Sequence, residues 1–554
     1  MYLIAALKLK NAPLSFQRRL EIKHRDEDTK IRNFLFRASR ESLALLIELL
    51  FILKDESYLM SSRFVAAIDQ GTTGTRCAIF NGSGRLIGWS YKRHRQIYPR
   101  EGFVEQDPME LINNVRSVIK GAIKDAKIEG KQISALGVAN QRETVVAWDK
   151  RSGRPLYNAI SWQDSRTKSF IDELRADEFS KTISGKTGLS ISTYFSASKI
   201  RWMIDNVPKL RDKIRDGDAL VGNVDSWMIW NLTGRRSYVT DYTNASRTML
   251  MDLKKHRWDR ELLEFFKIPE EILPEIKTSL SSDGLGHLME ADLPAAQINA
   301  DLGDQQAALF GERCFSEGNT KITYGTGSFI LQNTGKKVVK NGKGLISTCA
   351  YGEIDGSCRY ALEGSTQVAG ELFDWLISKL RMFKSLKDIK RNFDKDYQSS
   401  VHIVPAFNGL FAPYWDDSAR GLIIGLNGNS NKKDIVSAAY RAVCMQVDDI
   451  VSLLKPIKGD IKVDGGVSRD DDMMQLQADL LERKLLRSEM QEATAFGAAL
   501  AAGLSSDTWS TEDIKSFYPG GKVFYPKMDD EKVGNIKRDW KKAVERSLHW
   551  IINL

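Results

Sequence analysis

A chain of 554 residues exceeds the size of one hydrophobic core, so we expect two or more domains. Its composition, with 42% hydrophobic and 28% charged residues, is typical of a soluble globular protein. The net charge is +9, but the 81 Lys and Arg residues are interspersed with 72 Asp and Glu residues. The chain has no zinc-finger or RNA-binding signature. These properties argue against a nucleic-acid partner.

Residues 1–62 differ from the rest of the chain, and we expect them to form an N-terminal extension separate from the main fold. The apolar run at 43–53 is too short to cross a bilayer, and Glu48 interrupts it. The acidic residues of the extension argue against a transit peptide. Met60, directly before the first predicted strand, is a second candidate for the residue at which translation starts. We therefore expect a cytoplasmic protein without a transmembrane segment; peripheral attachment of the extension to an organelle surface stays open.

From residue 64 onward, short β-rich runs alternate with helical patterns. Strands are predicted near 64–68, 77–80, 86–91, 133–138 and 145–148, and a helix near 108–126. Asp107 as the N-cap and Pro108 at the first helical position mark the start of that helix. The order β-β-β-α-β predicts a mixed sheet covered by helices, which is an α/β architecture.

The turn between the first two strands combines glycines, threonines and an acidic residue. Residues 69–76 read Asp-Gln-Gly-Thr-Thr-Gly-Thr-Arg, and the glycines favour a tight hairpin turn. Backbone N–H groups and Thr hydroxyls suit a polyphosphate, and the Asp69 carboxylate suits the accompanying metal ion. The turn is not a Walker P-loop. Taken alone, it is better explained as a plain structural turn.

The second half of the chain repeats this pattern. A predicted strand leads into Gly-Thr-Gly-Ser at 325–328, and another strand follows. The repeat predicts two related halves that enclose a nucleotide, with a boundary near 311–318. A third element, Asp-Gly-Gly at 464–466, ends a predicted strand before a helix that begins near Asp471. Such a glycine pair permits close approach of a ligand to the backbone.

The cysteines and histidines receive no functional role. None of the five cysteines (Cys77, Cys314, Cys349, Cys358 and Cys444) forms a Cys-x-x-Cys pair or has a histidine at metal-binding spacing. We therefore predict buried thiols in a reducing compartment. All six histidines are predicted to be solitary.

Many motifs in a fixed order resemble the FGGY family of carbohydrate kinases, and within it the members that act on glycerol. The resembling blocks lie at 68–73, 140–144, 157–163, 192–196, 240–250, 303–309, 323–327, 360–364, 404–407 and 412–415. The resemblance implies a duplicated actin-like, ribonuclease H-like fold with a hinged cleft. It implies an N-terminal domain at 63–312 that binds glycerol and the phosphates, a nucleotide-binding C-terminal domain at 318–503, and a C-terminal helical tail at 504–554.

The resemblance also implies a set of acceptor-binding residues. Arg142, Glu143 and Tyr194 would bind the hydroxyl groups of glycerol, because Arg supplies several donors and Glu accepts. Asp304 would be the catalytic base beside Gln305. The remaining members are apolar residues that would cover the carbon chain and exclude water: Trp162 and Phe329.

On the nucleotide side, Asp69 would face Mg²⁺ through water. The residues that the resemblance implies for ATP binding are Thr72, Thr73, Gly74, Arg76, Thr326, Gly370, Gly466 and Asp470. Position 470 departs from the family, which commonly has Asn there. The acidic run at 470–472 would weaken adenosine binding if it faced the nucleotide and would be harmless if it pointed away.

The activity that the resemblance implies is transfer of the γ-phosphate of MgATP to glycerol. Two alternatives stay open. One is another FGGY kinase acting on a sugar or a larger polyol, and the other is a catalytically weak paralogue with a regulatory role. The resemblance further implies a homo-oligomer, either a dimer or a tetramer.

Overall fold

The computed structural model of the chain describes residues 64–551 except 341, 342, 395, 396, 398, 455, 491, 518 and 519. The predicted extension at 1–62, including its apolar run, lies outside the described residues. Within the described part, no helix has both the length and the apolar character that crossing a membrane requires.

The strands are numbered in chain order. They are β1 Phe64–Gln70, β2 Gly74–Phe80, β3 Leu86–Arg93, β4 Glu105–Gln106, β5 Ile133–Asn140, β6 Val145–Asp149, β7 Ala159–Ile160, β8 Ala219–Asn223, β9 Val239–Asp241, β10 Met251–Asp252, β11 Arg257–Trp258, β12 Glu275–Lys277, β13 Gly286–His287, β14 Gln297–Gly303, β15 Thr320–Tyr324, β16 Ser328–Gly335, β17 Ile346–Gly352, β18 Cys358–Thr366, β19 His402–Val404, β20 Leu422–Ile424, β21 Ile461–Asp464, β22 Leu485–Ser488 and β23 Gly521–Phe524.

The α-helices are numbered in the same way. They are α1 Pro108–Ala126, α2 Lys168–Ala176, α3 Phe179–Thr187, α4 Ser196–Asn206, α5 Pro208–Arg215, α6 Val224–Leu232, α7 Tyr242–Ala245, α8 Arg260–Phe266, α9 Asp304–Gly311, α10 Gly370–Asp374, α11 Leu386–Asn392, α12 Lys432–Val451, α13 Asp471–Leu481, α14 Ala493–Ser505, α15 Thr511–Ser516 and α16 Asp530–Ser547. Short 3₁₀ turns lie at Gly130–Gln132, Glu270–Ile272 and Val467–Arg469, and a π-helical turn at Trp375–Lys379.

The first sheet confirms the hairpin and helix predicted at its start. Its strand order is β13-β14-β5-β1-β2-β3, with β1 antiparallel to β2 and parallel to β5. Helix α1 begins as predicted, because the Asp107 carboxylate accepts a hydrogen bond from the backbone N–H of Met109 at 2.8 Å. In the parallel part of the sheet, Gln70 lies opposite Asn140, and Asn140 lies opposite Gly303. The carboxyl ends of β1, β5 and β14 therefore meet at one edge.

The second sheet repeats this arrangement and confirms the predicted internal repeat. Its order is β17-β18-β16-β15-β21-β22-β23; β15 is antiparallel to β16 and parallel to β21. In both sheets a glycine-rich hairpin is followed by parallel strands on the inner side. The chain after 503 is not only helical, because β23 adds an antiparallel strand next to β22.

One predicted strand lies in a different sheet from the one expected. Residues 145–149 form β6, but β6 pairs with β7 and β8 in a separate sheet of order β4-β7-β6-β8 rather than extending the first sheet. The turn at 141–144 redirects the chain, and Glu143 in it has a left-handed backbone (φ 61°). The inner face of this small sheet packs on α4 and forms its own apolar cluster.

Two helices pack unusually closely behind the first sheet. Helix α14 follows the second sheet in sequence, yet it packs on β1, β5 and β14 of the first sheet and against α9. A Cβ atom on Gly497 would lie 1.8 Å from the Ala307 carbonyl oxygen, and one on Gly311 would lie 2.2 Å from that of Ala493. Glycine is therefore required at this crossing, which fixes the helix that begins at Asp304.

The expectation that no histidine lies near a cysteine is wrong. All five cysteines are buried, as predicted. However, the folded chain brings one histidine and two cysteines together: His256, Cys349 and Cys358. Because roughly a hundred residues separate the histidine from the cysteines, local spacing carries no signal of this contact.

Candidate active site

The turn of the first hairpin is held by side chains from later parts of the chain. The Thr72 carbonyl oxygen accepts hydrogen bonds from Gln96 Nε2 at 2.7 Å and Gln106 Nε2 at 2.9 Å, and His94 Nε2 lies 2.7 Å from it. The Thr72 hydroxyl accepts a hydrogen bond from the Trp162 indole N–H at 2.9 Å. Thr73, in contrast, is exposed. The turn is therefore rigid at Thr72 and open at Thr73.

Asp69 and Arg76 lie opposite each other at the base of this hairpin. Asp69 Oδ2 is 3.5 Å from Arg76 Nε, and the other side of the guanidinium pairs with Glu492, directly before α14. Burial raises the pKa of Asp69 to about 6, with Arg76 opposing the shift and Asp304 and Glu492 adding to it. Asp69 is thus a buried carboxylate whose charge the chain itself compensates only in part. Gly74 makes room for the Tyr91 ring, whose hydroxyl would lie 2.4 Å from an added Cβ.

Arg142, just beyond β5, forms the centre of a buried charge network. Its guanidinium makes a bidentate pair with Glu363 on β18, at 2.7 and 2.9 Å. Arg247 lies at 3.2 and 3.3 Å from the same carboxylate and donates to Glu143 at 2.5 Å. At most 2% of any of these four side chains is exposed. The network therefore joins the first sheet to the second through alternating charges.

The protonation of this network follows from its geometry. Burial alone would raise the pKa of Glu363, but Arg142 and Arg247 outweigh burial and bring the pKa below its ordinary value. For Glu143, burial outweighs the same two arginines and raises the pKa. Glu363 is consequently the firmly ionised member that holds both guanidinium groups.

Asp304 opens helix α9 at the end of β14, beside Arg142. Its Oδ1 lies 3.3 Å from Arg142 Nε and accepts a hydrogen bond from the Gln305 backbone N–H at 2.7 Å. The Asp304 side chain is 26% exposed, whereas that of Arg142 is 2% exposed. Gln305 in turn accepts a hydrogen bond from the buried Lys321 ammonium at 2.6 Å. Asp304 is thus an oriented carboxylate that a ligand can reach.

Aromatic side chains form one wall next to these groups. The Trp162 ring makes edge contacts with Tyr194, at 5.5 Å between centroids, and with Phe329, at 6.5 Å. Tyr194 also lies under the Arg247 guanidinium, 5.5 Å from its ring centre. The buried Lys199 ammonium donates to three successive carbonyls, those of residues 193–195, and thereby fixes the backbone that carries Tyr194.

The second hairpin turn contacts the start of helix α10. The Gly370 N–H donates to the Gly325 carbonyl at 3.0 Å, and the Ala369 N–H donates to that of Thr326 at 2.6 Å. An added Cβ on Gly370 would lie 2.8 Å from the Gly325 oxygen, so this approach requires glycine. Beside it, a Cβ on Gly466 would meet no atom within 4 Å. The backbone at Gly466 therefore faces open space that a ligand can enter.

Asp470 is used by the protein itself. Its Oδ1 caps helix α13 by accepting from the Asp472 N–H at 3.1 Å, and its Oδ2 accepts from the Tyr440 hydroxyl at 2.8 Å and pairs with Lys390 at 3.2 Å. Both carboxylate oxygens are thus engaged by helix, hydroxyl and ammonium groups. The acid at the position where the family commonly has Asn is therefore paired with Lys390 and hydrogen-bonded within the protein.

The structure brings the predicted residues together in two groups. Arg142, Asp304 and Gln305 meet at the carboxyl ends of β5 and β14, while Trp162, Tyr194 and Phe329 form the adjoining wall. Glu143 joins through Arg247 rather than through a direct pair with Arg142. Sequence reasoning assigned no role to several members of this arrangement: Lys199, Arg247, Lys321, Glu363 and Glu492. Arg247 and Glu363 stand within the family-like blocks, which was the only signal that marked them.

Comparison with known proteins identifies the class. The model of the N-terminal domain of the FGGY family of carbohydrate kinases matches residues 64–311, and that of the C-terminal domain matches residues 320–506. Together with the relatives described next, these matches show that the chain belongs to the FGGY family of carbohydrate kinases. Its two-domain fold is the actin-like, ribonuclease H-like fold of that family.

Among its relatives, the glycerol kinase of Caldanaerobacter subterraneus subsp. tengcongensis is 44% identical over 497 residues, covering 88% of this chain and 99% of the relative. A glycerol kinase of Clostridium botulinum is 43% identical over 496 residues, with the same coverage. The crystal structure of Plasmodium falciparum glycerol kinase with ADP aligns with a TM-score of 0.80 and 36% identity, over 89% of this chain and 99% of that one. A xylulose kinase from Lactobacillus acidophilus, at 22% identity and TM-score 0.76 over 87% of this chain and 97% of that one, shares the fold.

The charge network makes a prediction about stability. Glu363→Gln removes the carboxylate that Arg142 and Arg247 share, and leaving a buried charge without its partner costs about 3–5 kcal/mol. We expect a clearly lower midpoint of thermal unfolding. The matched control is Glu353→Gln, which removes the partner of Arg359 in a pair that is more than a quarter exposed and is expected to contribute about 0–1 kcal/mol. Equal midpoints for the two variants would contradict the prediction.

Proposed function

We propose that the chain transfers the γ-phosphate of MgATP to glycerol and produces sn-glycerol 3-phosphate and ADP. The observation that carries this proposal is the meeting of Arg142 and the reachable Asp304 carboxylate beside the aromatic wall, whose Trp162 donates a hydrogen bond to Thr72 of the first hairpin turn. The glycerol kinases at 43–44% identity over nearly their whole length support the choice of acceptor.

The acceptor is proposed to lie between Asp304 and the aromatic wall. Asp304 accepts the proton of a primary hydroxyl as its oxygen attacks the γ-phosphorus, and the bond from that phosphorus to the bridging oxygen of ADP breaks. Arg142, held by Glu363 and Gln306, orients the Asp304 carboxylate and has one N–H group left to donate to a neighbouring hydroxyl. Trp162, Tyr194 and Phe329 would cover the carbon chain and exclude water, whose attack on ATP is the competing reaction.

The nucleotide is proposed to bind between the two glycine-rich hairpins. In this proposal, residues 63–312 bind glycerol and the phosphates, and residues 318–503 bind the nucleoside. Thr72, Thr73, Gly74 and Arg76 face the phosphates from one side and Thr326 from the other. The open space at Gly466, beside the Gly370 turn, suits the adenosine.

The chemistry of Asp69 fits a magnesium ion. Mg²⁺ prefers carboxylate oxygens and retains water ligands, and Asp69 is a buried carboxylate that Arg76 balances only in part. We propose that Asp69 holds Mg²⁺ through water. When bound with ATP, the ion would neutralise charge on the β- and γ-phosphates.

The proposed activity is tested by measuring ADP release with four acceptors: glycerol, dihydroxyacetone, xylulose and gluconate. Glycerol should give the largest kcat/KM. A higher kcat/KM for xylulose or gluconate would contradict the proposal and support a sugar kinase. If no acceptor stimulated ADP release, a regulatory paralogue would be favoured.

The role of Asp304 predicts a specific kinetic defect. Asp304→Asn retains the shape of the side chain but cannot accept the proton, so kcat should fall about 10²- to 10⁴-fold. The affinity for ADP, measured by calorimetry, should be unchanged because Asp304 is not among the proposed nucleotide ligands. Asp283→Asn, an exposed acid before β13, is the control and should retain full activity. Comparable turnover by Asp304→Asn would exclude Asp304 as the base.

The contacts of Asp470 predict that its charge does not disturb ATP binding. Asn caps a helix as well as Asp does, so Asp470→Asn should leave the KM for ATP unchanged. Asp470→Ala should lower the unfolding midpoint, because the cap and the Tyr440 hydrogen bond are lost. A marked fall in the KM for ATP in Asp470→Asn would mean that the carboxylate repels the nucleotide.

The raised pKa of Asp69 predicts a pH dependence. The pKa of Asp69 is about 6 in the folded protein, whereas its ordinary value is 3.8, so the folded state favours the protonated form. The free energy of unfolding should therefore fall as the pH rises from about 3.8 to about 6. The ionised form is the one that would face Mg²⁺, so kcat/KM for MgATP should fall as the pH is lowered through about 6. In Asp69→Asn the residual activity should lack this acidic limb. An unchanged limb in that variant would assign it to another group.

A further inference from the structure

A second cluster of reactive side chains lies outside the proposed active site. One nitrogen of His256 and the sulfurs of Cys349 and Cys358 all lie within 4.8 Å of one another. The proposed phosphoryl transfer uses none of these three residues.

The two cysteines occupy neighbouring antiparallel strands. Cys349 lies on β17 and Cys358 on β18, and the pairing between these strands shifts register between Cys349 and Tyr351. Both side chains are buried, with Cys349 fully inaccessible and Cys358 5% exposed. The Cys358 thiol donates a hydrogen bond to the Arg359 carbonyl at 3.1 Å.

His256 reaches the cysteines from the first half of the chain. It is the last residue of the turn between β10 and β11 and has a left-handed backbone (φ 52°). Its backbone N–H donates a hydrogen bond to the Asp252 carbonyl at 2.9 Å. The half-buried imidazole stacks on Tyr242, with centroids 4.5 Å apart, and its Nε2 lies 2.9 Å from the Tyr360 hydroxyl. The ring is therefore held in place before any ligand arrives.

We propose that His256, Cys349 and Cys358 bind one zinc ion, with water as the fourth ligand on the partly exposed side of the imidazole. Two thiolates and an imidazole are the ligands that Zn²⁺ prefers in tetrahedral sites, whereas Mg²⁺ prefers oxygen. Binding releases the thiol protons to solvent. Because the ligands come from both halves of the chain, the ion cross-links them and stabilises the folded state.

The cluster is also connected to the active site. The Cys349 carbonyl accepts a hydrogen bond from Gln306 Nε2 at 3.2 Å, and Gln306 Oε1 accepts one from Arg142 at 3.2 Å. Zinc would thus hold β17 in the position that supports Arg142. Because metal content and stability test the site without turnover, failure of the proposed kinase activity would not affect this inference.

The experiment measures zinc retention by the full chain. Protein purified under reducing conditions without nucleotide is loaded with Zn²⁺ alone and gel-filtered, and its metal content is measured by mass spectrometry. We expect one zinc per chain, loss of it in Cys358→Ala, and retention in Cys77→Ala, a matched removal of another buried thiol. Zinc should raise the unfolding midpoint of the wild type and of Cys77→Ala but not that of Cys358→Ala.

A second readout does not depend on the folding of a variant. Wild-type protein loaded with Co²⁺ should show thiolate-to-cobalt charge-transfer absorption, and His256→Gln, a change at a half-buried position, should weaken cobalt binding. A wild type that retains no zinc, a cobalt spectrum without thiolate absorption, or equal zinc retention by Cys358→Ala would each overturn the proposal. The cluster would then serve packing only.

Discussion

The bidentate pair between Arg142 and Glu363 is the interaction on which the site depends. Arg142 directly follows β5 of the first sheet, and Glu363 lies on β18 of the second. The pair therefore fixes the position of the two sheets relative to each other at this point. Such a pair is costly to bury unless its hydrogen bonds are satisfied, and here Arg247 and Glu143 complete the chain of charges. The Asp304 carboxylate takes its orientation from the same guanidinium. The proposed acceptor site therefore lies where the two sheets are joined.

Local sequence patterns predicted much of the fold because the relevant interactions are local. The first hairpin, the Asp107-capped helix and the repeated glycine turn each arise from residues a few positions apart. The parallel pairing of β1, β5 and β14 then explains why distant motifs meet at one edge. Residues 145–149 form the predicted strand but belong to another sheet, because the turn at Glu143 redirects the chain. The alternation of apolar and polar side chains predicts a strand but does not predict which sheet the strand joins.

The remaining features depend on contacts between distant residues. Arg142 and Arg247 each reach the Glu363 carboxylate across more than a hundred positions, and the residue types next to them in sequence do not indicate a charge network. The same reason hid the approach of His256 to Cys358. For Asp470, the residue type left open whether the charge faces the nucleotide, and the folded chain shows that helix capping and the Tyr440 hydroxyl engage the carboxylate. The sequence motifs predicted which kinds of side chain lie near the candidate site, whereas tertiary packing determines which residues each side chain contacts.

The hydrogen bond from the Trp162 indole to the Thr72 hydroxyl has a consequence for how the two substrates influence each other. Trp162 belongs to the aromatic wall that we propose covers the acceptor, and Thr72 to the hairpin turn that we propose holds the phosphates, so a ligand that restrains Trp162 would also restrain Thr72. Binding free energies are reciprocal: whatever factor the first substrate adds to the affinity for the second, the second returns to the first. In the proposed site, this contact would therefore couple the affinities for acceptor and nucleotide by the same factor in both directions.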